Sequence, residues 1–173
     1  MVRLLSDAGA DRDIAMQGGA TPWFIAPRQG RQEVVCLLSD AGADKNIAMQ
    51  GGATTLFIAS QSGHLEVVLS LLSDAGADKD IAMQGGGTPW FIAPQQGRQE
   101  VACLLSDAGA DKDIAMQGDA TPLSIASQSG HLEVVCLLSE EGADKDIADQ
   151  GDATPLLVAS ESGQTTSRGP PAL

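Results

Sequence analysis

The stretch GGATPWFIAPRQG, Gly18 to Gly30, returns as GGGTPWFIAPQQG at Gly85 to Gly97, 67 residues later and with two residues changed. A shorter period lies inside that echo. Thr-Pro at 21 and 22 recurs at Thr88-Pro89, Thr121-Pro122 and Thr154-Pro155, with Thr54-Thr55 in the remaining place, so successive steps are 33, 34, 33 and 33 residues. The tripeptide GAD keeps the same beat at Asp11, Asp44, Asp78, Asp111 and Asp144. Units one and three read WFIAPxQGRQEV and units two and four IASQSGHLEVV, so the ancestral event copied two units together. Near-identity at a fixed period is the mark of a stacked array, in which each unit buries its apolar face only against its neighbours.

Turn chemistry fixes the elements of a unit. Thr21 is a good N-cap and Pro22 suits the first helical position, where its missing N–H would have had no partner. A helix of about two turns follows to Gln29, and Gly30 breaks it. A second helix opens near Arg31, or near His64 and His131 in the sibling units, with Glu33 or Glu66 placed to meet the helix dipole. Val34, Val35, Leu37 and Leu38 form its apolar stripe, and Gly42 ends it. The rest, KNIAMQGGA from Lys45 to Ala53, carries the glycine pair of a turn and forms a hairpin-like loop to the next Thr.

Two irregularities carry expectations. Pro27 and Pro94 sit inside the short helices of units one and three, where proline costs roughly 3 kcal/mol, so a shortened or kinked helix is expected there. In unit two, EVVLSLL (Glu66 to Leu72) is one residue longer than EVVCLL. An extra helical residue would turn the following side chains by about 100°, which predicts a π-bulge or wide turn near Leu69-Ser70.

A two-helix unit of this period opening with Thr-Pro resembles the ankyrin repeat, whose pattern begins T-P-L-H-x-A. ATPLSIASQSGHLEVVCLLSEEGADKDIA, Ala120 to Ala148, follows that pattern almost throughout. The resemblance covers residues 1–163 and implies an all-α solenoid of stacked helix-turn-helix units with β-hairpin-like loops, whose concave face of hairpin tips and inner helices grips a protein partner. On that basis the expected partner-binding residues are Met16, Met49, Met83 and Met116 with their neighbours Gln17, Gln50, Gln84 and Gln117 at the tips, and Arg28, Gln61, Gln95 and Gln128 on the first helices. Departures from the family are specific. Its His after T-P-L is replaced by Phe24, Phe57, Phe91, Ser124 and Leu157; its tip Asp survives only as Asp149; Trp23 and Trp90 stand for Leu. Four complete units are expected, with a partial unit at each end and a disordered Thr/Ser/Gly/Pro-rich tail over 164–173.

Catalysis finds no inventory. His64 and His131 share one repeat position at a helix start and read as capping or surface residues. The glycine runs lack the Lys-Ser/Thr of a phosphate loop. The recurrent GADKD turn offers paired carboxylates, but catalytic carboxylates are differentiated from one another, and a set used five times reads as a solvated turn. No cofactor, metal or small-molecule substrate is expected. A formal charge of −13, from 10 basic and 23 acidic residues, disfavours nucleic acid. No run reaches the roughly 20 apolar residues of a membrane span, and no secretory segment is visible. Cys36, Cys103 and Cys136 occupy one position of successive units, too far apart to pair, so a reduced, cytoplasmic protein is expected. Three readings stay open: a free-standing adaptor, the regulatory or targeting array of a larger enzyme or channel, and a non-functional excerpt of an expanded array.

Overall fold

The computed structural model describes residues 1–11, 14–17, 20–73 and 76–164. Among them are ten helices: α1 (Val2–Asp7), α2 (Pro22–Arg28), α3 (Gln32–Asp40), α4 (Thr55–Ser62), α5 (Leu65–Ser73), α6 (Pro89–Gln95), α7 (Gln99–Asp107), α8 (Pro122–Ser129), α9 (Leu132–Glu140) and α10 (Pro155–Glu161). The even-numbered helices pack in series as an inner layer, the odd-numbered ones as an outer layer, and α2/α3, α4/α5, α6/α7 and α8/α9 pair as four complete units. No strand forms among the described residues; a single antiparallel bridge, Ala48 to Thr54, marks one hairpin. The expected tail falls, from 165 on, outside the described residues.

Thr stands at every inner N-cap, but four of the five cap with the side chain: Thr21, expected to do the same, makes no such bond, and its hydroxyl is buried without a partner. The hydroxyls of Thr54, Thr88, Thr121 and Thr154 accept the N–H of the third helical residue, at 3.2–3.4 Å, without the histidine that follows them in the ankyrin pattern. The core between the layers repeats as well. Leu38, Leu71, Leu105 and Leu138 are at most 2% exposed and meet the inner-layer residues Trp23, Leu56, Trp90 and Leu123. Trp23 also ties its helix to the following turn, its indole N–H donating to Asp44 O at 2.6 Å.

The two helices with an internal proline are one residue shorter than α4 and α8, as is α10, which has none. Helices α2 and α6 have seven residues and end on Gln29 and Gln96, whereas α4 and α8 have eight and end on left-handed Gly63 and Gly130. Gly30 and Gly97 remain left-handed (φ 66° and 65°), so the chain still turns at the same place.

The extra residue of unit two is not absorbed where the periodicity places it. Helix α5 is an unbroken α-helix through Leu69 and Ser70, so there is no π-bulge. The register runs from the helix start. Leu71 takes the core place of Leu38, and Ser70 takes that of Leu37, its hydroxyl donating to Glu66 O at 2.9 Å and accepting from Gln32. The surplus appears after the helix. In the other units the alanine of GAD donates its N–H to the leucine five residues back, Ala43 to Leu38, Ala110 to Leu105 and Ala143 to Leu138, but Ala77 reaches six back, to Leu71. Closing on the leucine six residues back is cheaper than rotating two leucines out of the core.

Two outcomes follow. Replacing Pro94 with Ala is expected to stabilise by about 1 kcal/mol, a fraction of the interior penalty because the helix already ends early and the buried ring is lost; destabilisation in a denaturant titration would mean that the proline fits a bend. Deleting Ser70 leaves a leucine in the core place and restores the five-residue closure, so the melting temperature should rise by roughly 2–4 °C. A lower melting temperature would show that the hydroxyl bonds of Ser70 outweigh the widened turn.

Candidate interaction face

The hairpins are closed alike by one backbone bond, from Met16 to Ala20, Met49 to Ala53, Met83 to Gly87, Met116 to Ala120 and Asp149 to Ala153, at 2.8–3.1 Å. Their tips differ in one respect. At Asp149 the carboxylate closes the turn itself, accepting from Gly151 N at 2.8 Å and Ala153 N at 3.0 Å. Methionine offers no such acceptor, and at Gly51, Gly85 and Gly118 the backbone instead turns left-handed (φ 97°, 102° and 98°), with Met49 O accepting from Gly52 N. That is the type II geometry, which needs glycine at its third place. Gly151 does not adopt it. Loss of the tip aspartate is thus offset by a glycine turn.

The tips are then zipped along the array. Gln84 N–H donates to Gly51 O (2.7 Å), Gln117 to Gly85 O (3.0 Å) and Gln150 to Gly118 O (3.1 Å). Close approach leaves no room for a side chain: a Cβ on Gly52 would lie 2.9 Å from the Met83 Cα. Because backbone groups make these links, the glutamine side chains remain exposed. Gln17, Gln50, Gln84 and Gln117 are all at the surface, as are Arg28, Gln61, Gln95 and Gln128 on the inner helices.

The four methionines are not equivalent. Met16 is 65% exposed, while Met49, Met83 and Met116 are half-buried; the Met83 side chain lies beside Gly87 and the Phe57 ring. Between the first two inner helices, Met49, Arg28 and Gln61 border one cavity of about 230 Å³ with a floor of Phe24, Ile25 and Ile58. The other nine expected residues do not line this cavity.

Two sets of residues have a structural role that the sequence concealed. The GADKD turns form a row running through the array. Asp44 Oδ1 accepts from Asn46 N, Asn46 Oδ1 from Asp78 N, Asp78 from Asp80, Asp80 from Asp111, Asp111 from Asp113, Asp113 from Asp144 and Asp144 from Asp146, at 2.9–3.5 Å. These carboxylates bind backbone rather than one another, and among the described residues no cluster could hold a metal. The row is reinforced where Lys112 bonds Glu141 at 3.0 Å, which holds that carboxyl below its usual range. The second set is a clasp at the helix-helix turn. His64 Nε2 lies 3.2 Å from Arg28 O, His131 Nε2 3.3 Å from Gln95 O, and Gln164 Nε2 donates to Gln128 O. Each reaches back past its own inner helix to the last turn of the preceding unit's inner helix. A Cβ on Gly30 would lie 2.8 Å from the His64 ring.

The cysteines are free, and burial, with Asp107 nearby, pushes the Cys103 thiol up, away from the thiolate a nucleophile needs. No helix among the described residues is long and apolar enough to cross a membrane. No curated protein matches the chain. A family model described as ankyrin repeats in three copies matches residues 44–116 and again 91–167, which together cover more than half of the sequence. Ankyrin repeats are protein-interaction modules without catalytic machinery of their own. With the stacked helix pairs, the capped Thr and the zipped hairpins, the match establishes that this chain belongs to the ankyrin repeat family.

Proposed function

We propose that this chain is a non-enzymatic binding module that takes a polypeptide partner on the face made by its hairpin tips and inner helices. One observation carries the reading: Met49, Arg28 and Gln61, from a tip and two successive inner helices, border one cavity with an apolar floor. Apolar surface with a few convergent polar groups is what a binding site requires, and a thioether adapts to irregular apolar contacts. Residues 1–163 supply that face as one array, with the Thr/Ser/Gly/Pro-rich tail apart from it. Three thiols carried by separate units support a reducing, cytoplasmic setting.

Converting Met16, Met49, Met83 and Met116 together to Asp tests the assignment. The hairpin of Asp149 keeps the same backbone closure, to Ala153, with an aspartate at this place whose carboxylate caps the turn, so the fold is expected to be kept, as circular dichroism checks. Capture of the partners retained by the wild-type chain is expected to fall by about tenfold or more, the loss of roughly 1.4 kcal/mol. Undiminished capture by the folded variant would place the binding surface elsewhere.

A further inference from the structure

The charge of the interaction face is not that of the molecule. Although the net charge is −13, residues 47–63 and 81–97, which run from a hairpin through the inner helix of units two and three, contain no Asp, Glu, Lys or Arg. The ends of the face are different. One exposed position of the inner helices reads Arg28, Gln61, Gln95, Gln128 and Glu161 along the array. The place next to the tip is Gly52 and Gly86 in the middle, but Asp119 and Asp152 in the last two hairpins, where Asp149 also replaces methionine. The face is therefore cationic at its first unit, neutral through the middle and acidic at its last units. Arg28 borders the apolar cavity with Met49 and Gln61, so the cationic end is also a pocket.

Resting on the reading above, we infer that the face takes an extended, dipolar polypeptide segment in one orientation: its acidic end at Arg28, an uncharged middle over the glutamines, and its basic end at Asp119, Asp149, Asp152 and Glu161. The middle is chemically suited to an extended chain, since exposed amide side chains both donate and accept and can satisfy peptide N–H and C=O groups. The four steps from Arg28 to Glu161, at about 8–10 Å per packed helix, span roughly 32–40 Å. At about 3.3 Å per residue that is a segment of roughly 10–12 residues. Charges at the two ends set direction and encounter rate, while the neutral middle avoids the repulsion that the rest of this acidic surface would impose on a carboxylate.

Synthetic twelve-residue peptides with an uncharged Ser/Gln/Leu/Ala middle, two aspartates at one end and two lysines at the other provide the probe, beside an isomer with the four charges in the centre. A photo-crosslinker at the acidic end is expected to label α2 and the first hairpins; one at the basic end should label α10 and the last hairpin. The end-charged peptide should bind about fivefold or more tighter than its isomer at low salt, and that margin should shrink as salt screens the ends. A variant with Arg28→Gln, Asp119→Gly, Asp149→Met, Asp152→Gly and Glu161→Gln carries at each place the residue found in other units, so it should keep its fold. It should lose both the preference and the ordered crosslinks. Equal labelling of both ends by either probe, equal affinity for the isomer, or no binding of either peptide would overturn the orientation while leaving the face itself in place. Crosslinks confined to the outer helices would instead defeat the proposed binding face.

Discussion

Everything in this structure depends on contacts between neighbouring units, because no unit can bury its own apolar face. A pair of helices of seven to nine residues is too short to be stable alone in water, and α4, α6 and α8 are each flanked by the previous and the next inner helix. Three rows of hydrogen bonds reinforce that stacking at three heights of the unit: the backbone zipper of the hairpin tips, the Asx row of the GADKD turns and the side-chain clasp at the helix-helix turn. Each row links a unit to its immediate neighbour and to nothing further away. The result is a nearly one-dimensional object in which stability adds up along the chain.

The same rows explain how function and architecture share one repeat. Tip alignment is maintained by backbone groups, so the glutamine side chains and Met16 are left at the surface, while Met49, Met83 and Met116 stay half-buried. Seven of the 23 acidic residues, by contrast, are committed at the far end of the hairpins, where with Asn46 they accept backbone N–H groups or stand beside those that do. Charge and recognition are thereby separated in space, which is how a molecule of net charge −13 presents an uncharged strip.

Much of this was legible in the sequence because a repeat is read several times over. Proline as first helical residue, the Thr caps at 54, 88, 121 and 154 and the outer-helix leucines follow from local rules, whereas Thr21 stands at its N-cap without the side-chain bond expected of it. Of the twelve residues expected to bind a partner, nine are exposed, while Met49, Met83 and Met116 are half-buried. What failed was the placement of the extra residue in unit two. Periodicity located it at Leu69-Ser70, but helix α5 keeps its register from its own N-terminus and sheds the surplus into the turn before Ala77. Sequence spacing alone does not say which end of a helix anchors the register. The rows between units were hidden for a related reason: Asp80 and Asp111 are 31 residues apart, and only stacking makes them neighbours. The two histidines read as capping or surface residues, yet each reaches a backbone carbonyl in the last turn of the preceding unit's inner helix.

Native-state hydrogen exchange at the tip amides of Gln84, Gln117 and Gln150 tests the central claim most directly. Each belongs to an exposed residue, and its one backbone partner is a glycine carbonyl of the preceding hairpin. If coupling between units holds the structure together, these amides are protected and begin to exchange together with the amides of the adjoining helices. Exchange at the rate of an open loop while the helices stay protected would contradict it, showing that the hairpins move independently and that the zipper contributes nothing to the stack.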